Sequence, residues 1–103
     1  MDALIGIWIQ IEGQPYAGLW FEFAADGSFS AVYEPMSITS EGTFTVSGDE
    51  IDIDQTSHSL GMVGAFAGLF EINGDELKMA LAGGPGQARP ANLENARIYK
   101  KQN

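Results

Sequence analysis

The chain has 103 residues, of which 45% are hydrophobic and 11% aromatic, so we expect one folded domain over residues 1–103 and not a disordered chain. Fourteen acidic residues against five basic ones give a formal charge of −9, which would repel a nucleic-acid backbone or an anionic membrane surface. There is no cysteine, which excludes disulfides, a thiolate nucleophile and sulfur ligands for a metal. We therefore expect neither nucleic acid nor membrane as a partner.

The sequence contains no apolar run of transmembrane length and no recognisable signal peptide. These features predict a cytoplasmic location, although a signal peptide that had already been removed would leave the same sequence.

The first predicted strand, residues 4–12, has apolar side chains on both of its faces. Trp8 points to one side, and the opposite side carries Ile5, Ile7, Ile9 and Ile11. If this isoleucine stripe lies outside the sheet together with Trp20, it indicates a homodimer interface, because an exposed apolar patch is typical of interaction surfaces. The alternative is that the inner and outer faces of the first strand are reversed.

Seven further segments alternate apolar and polar residues, as half-buried strands do. They are residues 18–23, 29–33, 38–46, 50–55, 66–72, 76–82 and 96–101. Residues 56–67 depart from the alternation, and they are compatible with a loop, a helical turn or the irregular start of the sixth strand. Residues 83–90 contain too much glycine and proline for a helix or a central strand, so we predict a loop there.

Two stretches of the chain repeat one pattern. Residues 42–53 and 68–79 both read Gly-x-Phe-x-(Ile/Val)-x-Gly-Asp-Glu-(Ile/Leu)-x-(Ile/Met). Each copy alternates, breaks at Gly-Asp and alternates again, which is typical of a β-hairpin with a tight turn. Eight short antiparallel strands predict an all-β fold, a single eight-stranded antiparallel up-and-down β-barrel, because closure removes the exposed edges of an open sheet.

The Gly6-x-Trp8 motif on the first strand resembles the Gly-x-Trp signature of the lipocalins. In that family the tryptophan closes one end of the barrel and an arginine from the last strand packs over it. The resemblance implies a lipocalin-like (calycin) barrel, and it implies the role of that arginine for Arg97.

A second resemblance covers nearly the whole chain. The motifs occur in the same order as in an uncharacterised bacterial family of lipocalin-like domains. The matching residues are Gly6 and Trp8, Gly13 and Pro15, Gly27 and Phe29, Gly42-Thr43-Phe44, Ile51-Asp52, Gly68-Leu69-Phe70-Glu71-Ile72, Gly74-Asp75 with Leu77, and Pro85-Gly86 with Arg89-Pro90. The chain departs from the family at His58 and Met62, where the family is more polar, and it lacks a cysteine common near the seventh strand. This resemblance implies small-ligand binding but no particular reaction.

The interior of an eight-stranded barrel is wide enough for packed side chains or for one small ligand. Ten residues fall on the apolar faces of the predicted strands or in the irregular segment, and they are the candidate ligand contacts. They are Phe21, Phe23, Phe29, Tyr33, Phe44, His58, Met62, Phe66, Phe70 and Met79. Tyr33 and His58 also carry polar atoms, so we expect these two to orient a ligand.

Three acidic residues, Glu50, Asp52 and Asp54, share one face of a predicted strand. This is the pattern of a solvated outer face, and it lacks the glycine and bidentate glutamate of a calcium loop, so we expect no metal ion. The spacing shows no nucleophile–base–acid trio, so we predict no catalytic residue, and no cofactor is expected.

The first hypothesis for function is therefore the binding of a small, largely apolar molecule inside the barrel. Two alternatives stay open at this point. One is a cofactor-free enzyme of isomerase or cyclase type that uses the cavity, with His58 or Tyr33 as the acid–base group. The other is a dimeric interaction or structural protein whose barrel is filled by its own side chains.

Overall fold

Eight antiparallel strands follow one another around a closed barrel in the order in which they occur in the chain. A computed structural model describes residues 2–102. The strands are β1 (Gly6–Gln10), β2 (Trp20–Phe23), β3 (Ser28–Tyr33), β4 (Ile38–Ser47), β5 (Glu50–His58), β6 (Gly64–Asn73), β7 (Glu76–Leu81) and β8 (Arg97–Gln102). Because β1 pairs with both β2 and β8, the sheet has no free edge. The predicted all-β, eight-stranded up-and-down barrel is confirmed.

Two short 3₁₀ helices, Asp2–Leu4 and Glu34–Met36, complete the secondary structure of residues 2–102. Within this part of the chain, no helix has the length and apolar character that crossing a membrane would need.

The strand ends differ from the predicted ones in two regions. The strands β1 and β2 are shorter than predicted, because residues 11–19 form a series of turns between them. In contrast, β5 runs on to His58 and β6 begins at Gly64, so the irregular segment shrinks to a loop over residues 59–63. A register shift between Glu41 and Gly42 lets β5 continue beyond the regular alternation.

The two repeated motifs form the β4–β5 and β6–β7 hairpins. Each has a two-residue turn that begins with glycine, Gly48 in the first and Gly74 in the second. These glycines have φ angles of 62° and 61°, the left-handed conformation that the first central residue of a type II′ turn requires. The shared glycine of the repeat is therefore explained by turn geometry.

One end of the barrel is closed by Trp8. Its indole is fully buried, and Nε1 donates a hydrogen bond to the carbonyl of Leu4 in the first 3₁₀ helix at 2.8 Å. Ile7 and Ile9 point outward and are half-buried, whereas Ile5, which precedes β1, packs against the core, so only part of the predicted isoleucine stripe lies on the outer face of the barrel. At this end Phe23 also packs edge-on against Phe44, with ring centroids 4.9 Å apart. Side chains therefore fill the Trp8 end.

The role implied for Arg97 is wrong. Trp8 lies opposite Lys101 in the β1–β8 register, and the Lys101 ammonium lies over the indole, 5.5 Å from the ring centroid. Arg97 lies opposite Met79, towards the other end of β8. The register of β8 excludes Arg97 from this role. Arg97 lies four positions before Lys101, and at roughly 3.3 Å per residue this places its Cα atom about 13 Å from that of Lys101.

Candidate ligand-binding site

The end of the barrel opposite Trp8 contains an open apolar cavity of about 410 Å³. Side chains from the inner faces of β2 to β7, and from the loops that join them at this end, form its wall. The lining residues are Tyr16, Leu19, Phe21, Ala31, Tyr33, Met36, Ile38, Ser40, Ile53, Gln55, His58, Leu60, Met62, Phe66 and Leu81. The volume lies within the range of roughly 300–1,000 Å³ that small-molecule sites occupy. Among the residues that the structure describes, no aspartate or glutamate contributes to the wall.

The structure brings half of the sequence-predicted contact residues together at this cavity. They are Phe21, Tyr33, His58, Met62 and Phe66. Of the others, Met79 lines a neighbouring cavity, Phe23, Phe29 and Phe44 belong to the buried core, and Phe70 packs against that core while half-buried. The division follows position along the barrel axis, which strand alternation does not reveal.

Residues from the loops were missing from the predicted set. Tyr16 and Leu60 line the cavity, yet both lie outside the strands, where period-two alternation carries no information. Ser40 was also missed, because a small polar residue does not stand out on an apolar face. One sequence signal could have identified the loop residues. Large apolar side chains occur there in loops that are otherwise rich in glycine and serine, and an apolar side chain in a surface loop is usually not part of the core.

A β-bulge turns His58 towards the cavity. Gln55 lies opposite Gly42, but His58 lies opposite Ser40, so β5 carries one extra residue between these two pairs. Without the bulge, alternation from the buried Ile53 would place His58 on the outer face. Gly42 is required at this point, because a Cβ there would lie 1.9 Å from the carbonyl oxygen of Asp54.

A local hydrogen bond selects the tautomer of the neutral His58 ring. The backbone N–H of Leu60 donates to Nδ1 at 3.0 Å. A nitrogen that accepts a hydrogen bond carries no proton, so in the neutral ring the proton is on Nε2. The neutral ring therefore offers a ligand one N–H donor at the wall of the cavity, and among the side chains of residues 3–102 no acidic group pairs with it.

Tyr16 is held over the mouth by an anchored loop. The side-chain amide of Gln14 forms two hydrogen bonds with the backbone of Ile98 in β8. Its Oε1 accepts from the Ile98 N–H at 2.9 Å, and its Nε2 donates to the Ile98 carbonyl at 3.0 Å. Tyr16 itself has a φ of 64°, which is uncommon for an aromatic residue. Its ring meets Tyr33 edge-on, with centroids 5.4 Å apart. The two rings thus form one side of the mouth.

The loop over residues 59–63 forms the facing side of the mouth. Ser59 joins it to β4 through two hydrogen bonds with the backbone of Thr39, at 2.9 and 3.1 Å. The Gln55 amide donates to the carbonyl of Met62 and holds the far end of the loop. These bonds present the apolar side chains of the loop beside the opening.

The exposed apolar side chains are concentrated at this mouth. In residues 2–102 the large hydrophobic side chains that are half or more exposed are Tyr16, Met36, Leu60, Met62 and Val63, with exposures between 50% and 71%. Four of them line the cavity, and Val63 follows Met62 in the same loop. Scattered exposure of single apolar residues is ordinary, but a cluster around one opening is typical of a binding site.

A second cavity of about 570 Å³ adjoins the first on the β1–β7–β8 side of the barrel. The two cavities share Tyr16, Leu19, Phe21 and Leu81, which therefore form the partition between them. The second cavity is more polar, since Gln10, Asn95, Arg97 and Tyr99 also contribute to its wall.

Two polar side chains of the second cavity are almost completely buried. Gln10 and Tyr99 lie opposite each other on β1 and β8, and each is 3% exposed. Burial raises the pKa of the Tyr99 hydroxyl well above its ordinary value, while the positive charge of Arg97 opposes this rise. The hydroxyl is therefore protonated at neutral pH and can donate a hydrogen bond.

Within residues 2–102 no group of three or more His, Asp or Glu side chains could hold a metal ion. The acidic side chains of Glu50 and Asp52 instead pair with Arg89 on the outer surface, at 3.8 and 2.8 Å. The site offers apolar surface and a few neutral polar groups.

Comparison with protein families, with curated proteins and with solved structures gives no match to this chain.

Proposed function

We propose that the protein binds a small, largely apolar molecule in the open end of its barrel. The observation that carries this proposal is the apolar cavity of about 410 Å³ whose mouth collects the exposed hydrophobic side chains of the described chain. Transfer of apolar surface from water into such a cavity is favourable by about 25 cal/mol for each Å² that is buried.

The wall supports binding that tolerates variation in ligand shape but fixes one orientation. Phe21 and Phe66 supply flat aromatic surface, and Met36 and Met62 are flexible side chains that adapt to different shapes. His58 adds one N–H donor, and Tyr33 adds a hydroxyl group. A ligand with an apolar body and one hydrogen-bonding group would use all of these features.

The topology also supports the assignment to the lipocalin-like barrels. Those proteins likewise have eight antiparallel strands in up-and-down order, with one closed end and one open end. The tryptophan of the Gly6-x-Trp8 motif closes the barrel here, although a lysine takes the place expected for an arginine. Membership of the uncharacterised bacterial family is part of this proposal.

The proposal is tested by filling the cavity. Ser40 faces the cavity from β4, so Ser40→Phe should occupy part of the space that a ligand needs. We expect this variant to bind N-phenylnaphthylamine, an uncharged apolar fluorophore, about tenfold or more weakly than the unchanged protein, which corresponds to roughly 1.4 kcal/mol. Fluorescence titration measures the dissociation constant.

Thr39→Phe is the matched control, because Thr39 precedes Ser40 on the same strand and its side chain is exposed on the outer face. It adds the same aromatic ring outside the barrel, and we expect it to change the dissociation constant by less than about twofold. Equal affinity of the two variants, or no binding by the unchanged protein, would contradict the proposal.

A further inference from the structure

Arg97 is a cation that lines the second cavity without an acidic partner among the described side chains. Among the side chains of residues 3–102 no carboxylate oxygen lies within ion-pair distance of its guanidinium, although the chain carries fourteen acidic residues. The side chain is half-buried in the wall of the second cavity, where no aspartate or glutamate contributes. Taking a charge out of water without a counter-ion is costly, so such a group is expected to have one in the functional state.

The other basic residues are placed differently. Arg89 binds Glu50 and Asp52 on the outer surface, and Lys100 lies 3.5 Å from Asp75. The others are Lys78, whose cross-strand neighbour is Glu71, and Lys101, which lies over Trp8 at the closed end. Among the described residues, Arg97 is thus the one basic residue that lines either of these two cavities. Because Lys101 packs over the Trp8 indole, Arg97 does not contribute to closing that end of the barrel.

Two neighbours of Arg97 have polar atoms without a protein partner. Gln10 Nε2 donates to the carbonyl of Pro15, which fixes the orientation of the amide and leaves Oε1 on the other side. Neither Gln10 Oε1 nor the Tyr99 hydroxyl forms a hydrogen bond within residues 2–102. No fully buried polar side-chain atom in this part of the chain lacks a partner, so both atoms must be open to the cavity. Together with Arg97 they form a polar subsite.

We infer that this subsite binds the head group of an amphipathic ligand that carries a single negative charge, a carboxylate, with Arg97 as its counter-ion. The planar guanidinium matches a carboxylate in a two-hydrogen-bond arrangement, and the protonated Tyr99 hydroxyl can donate a third bond. The apolar body of the ligand would pass Tyr16 and Leu81, at the partition, into the apolar cavity.

This inference rests on the proposed function, and it narrows the ligand class. One basic residue beside an otherwise uncharged wall suits one negative charge, and it does not suit a ligand with several phosphates. The bound head group would lie near the mouth, where the second cavity opens to solvent, so the charge need not cross the aromatic core.

The test compares decanoate with decanol, which share the same apolar chain and differ in head group. Each competes with N-phenylnaphthylamine at about pH 8, where the carboxylic acid is ionised. The unchanged protein should bind decanoate at least about tenfold more tightly than decanol. Arg97→Gln should remove this preference by weakening decanoate alone, and Arg97→Lys, which keeps the charge, should retain part of it.

Lys100→Gln is the matched control, because it changes the net charge equally on the same strand but lies at an exposed position that lines neither of the two cavities. We expect it to leave the decanoate-to-decanol ratio within about twofold of its original value. Unchanged decanol binding in Arg97→Gln would also show that this variant is folded.

The outcomes separate the two proposals. If neither compound displaces the fluorophore from the unchanged protein, the proposed function fails. If decanol binds as tightly as decanoate, or if Arg97→Gln and Lys100→Gln weaken decanoate equally, the proposed function stands and the head-group subsite is wrong.

Discussion

At the scale of single residues, Tyr99 gives a spectroscopic test of the polar subsite. Burial raises the pKa of its hydroxyl, so the folded state holds the phenol proton more tightly than the unfolded state does. This contribution to stability is complete below the unfolded pKa of about 10, and it is lost as the pH rises from there through the folded pKa. We therefore expect the free energy of unfolding to fall above about pH 10.

The measurement is the ultraviolet absorbance of the phenolate in a Tyr16→Phe, Tyr33→Phe background, which leaves Tyr99 as the only tyrosine. Tyr99 should stay protonated about one pH unit above the pKa of a free tyrosine for as long as the protein is folded. Adding Arg97→Gln should raise its pKa further, since the arginine charge opposes the rise. Ordinary ionisation of Tyr99 in the folded protein would contradict the burial described here.

The role of His58 shows where residue-scale prediction stops. From the sequence we predicted that His58 lies in an irregular segment and contacts the ligand, because it is the only histidine in the chain. Its direction depends on one extra residue in β5 opposite Gly42, and no local pattern announces a bulge of this kind. Arg97 was assigned to the wrong end of the barrel for a similar reason, because strand pairing fixes the register of β8.

At the scale of elements, the long β7–β8 connection is attached to the barrel through Arg89. Its Nη1 donates to the carbonyls of Ile51 at 3.1 Å and Gly68 at 2.8 Å, and Nη2 donates to Asp52 at 2.8 Å. Hydrogen bonds from a charged donor to backbone groups contribute about 1.5–3 kcal/mol, whereas exposed ion pairs contribute about 0–1 kcal/mol.

Arg89→Met should therefore lower the free energy of unfolding by about 2 kcal/mol, because it leaves two backbone carbonyls without this donor. Asp52→Asn is the matched control, since it removes only the partly exposed ion pair, and it should cost less than about 1 kcal/mol. Urea unfolding at equilibrium measures both values. Equal losses would mean that Arg89 acts through its surface charge and not through the backbone of β5 and β6.

The hairpins were the elements best predicted from sequence. Their alternation and their Gly-Asp turns depend on neighbouring residues alone, so local patterns suffice, and both turns were placed correctly. The loops over residues 11–19 and 59–63 depend on contacts with distant strands, such as the bonds of Gln14 to Ile98. These same loops build the mouth of the cavity, which explains why only part of the site was anticipated.

At the scale of the whole molecule, charge and apolar surface are separated. The acidic residues contribute to neither cavity, although the chain has a formal charge of −9. A surface of this kind favours solubility and repels polyanions at long range, while a ligand with one charge or none can still enter the mouth. The outward-facing Ile7 and Ile9 of β1 are half-buried, and the use of this face as a homodimer interface stays a prediction.

The most direct test of the central claim is to map the binding of decanol by NMR chemical-shift changes across the backbone amides. We predict the largest changes at the open end, around Tyr33, Ser40, His58 and Phe66, and little change around Trp8 at the filled end. Changes confined to the outer face of β1, or none at a saturating concentration of decanol, would contradict it.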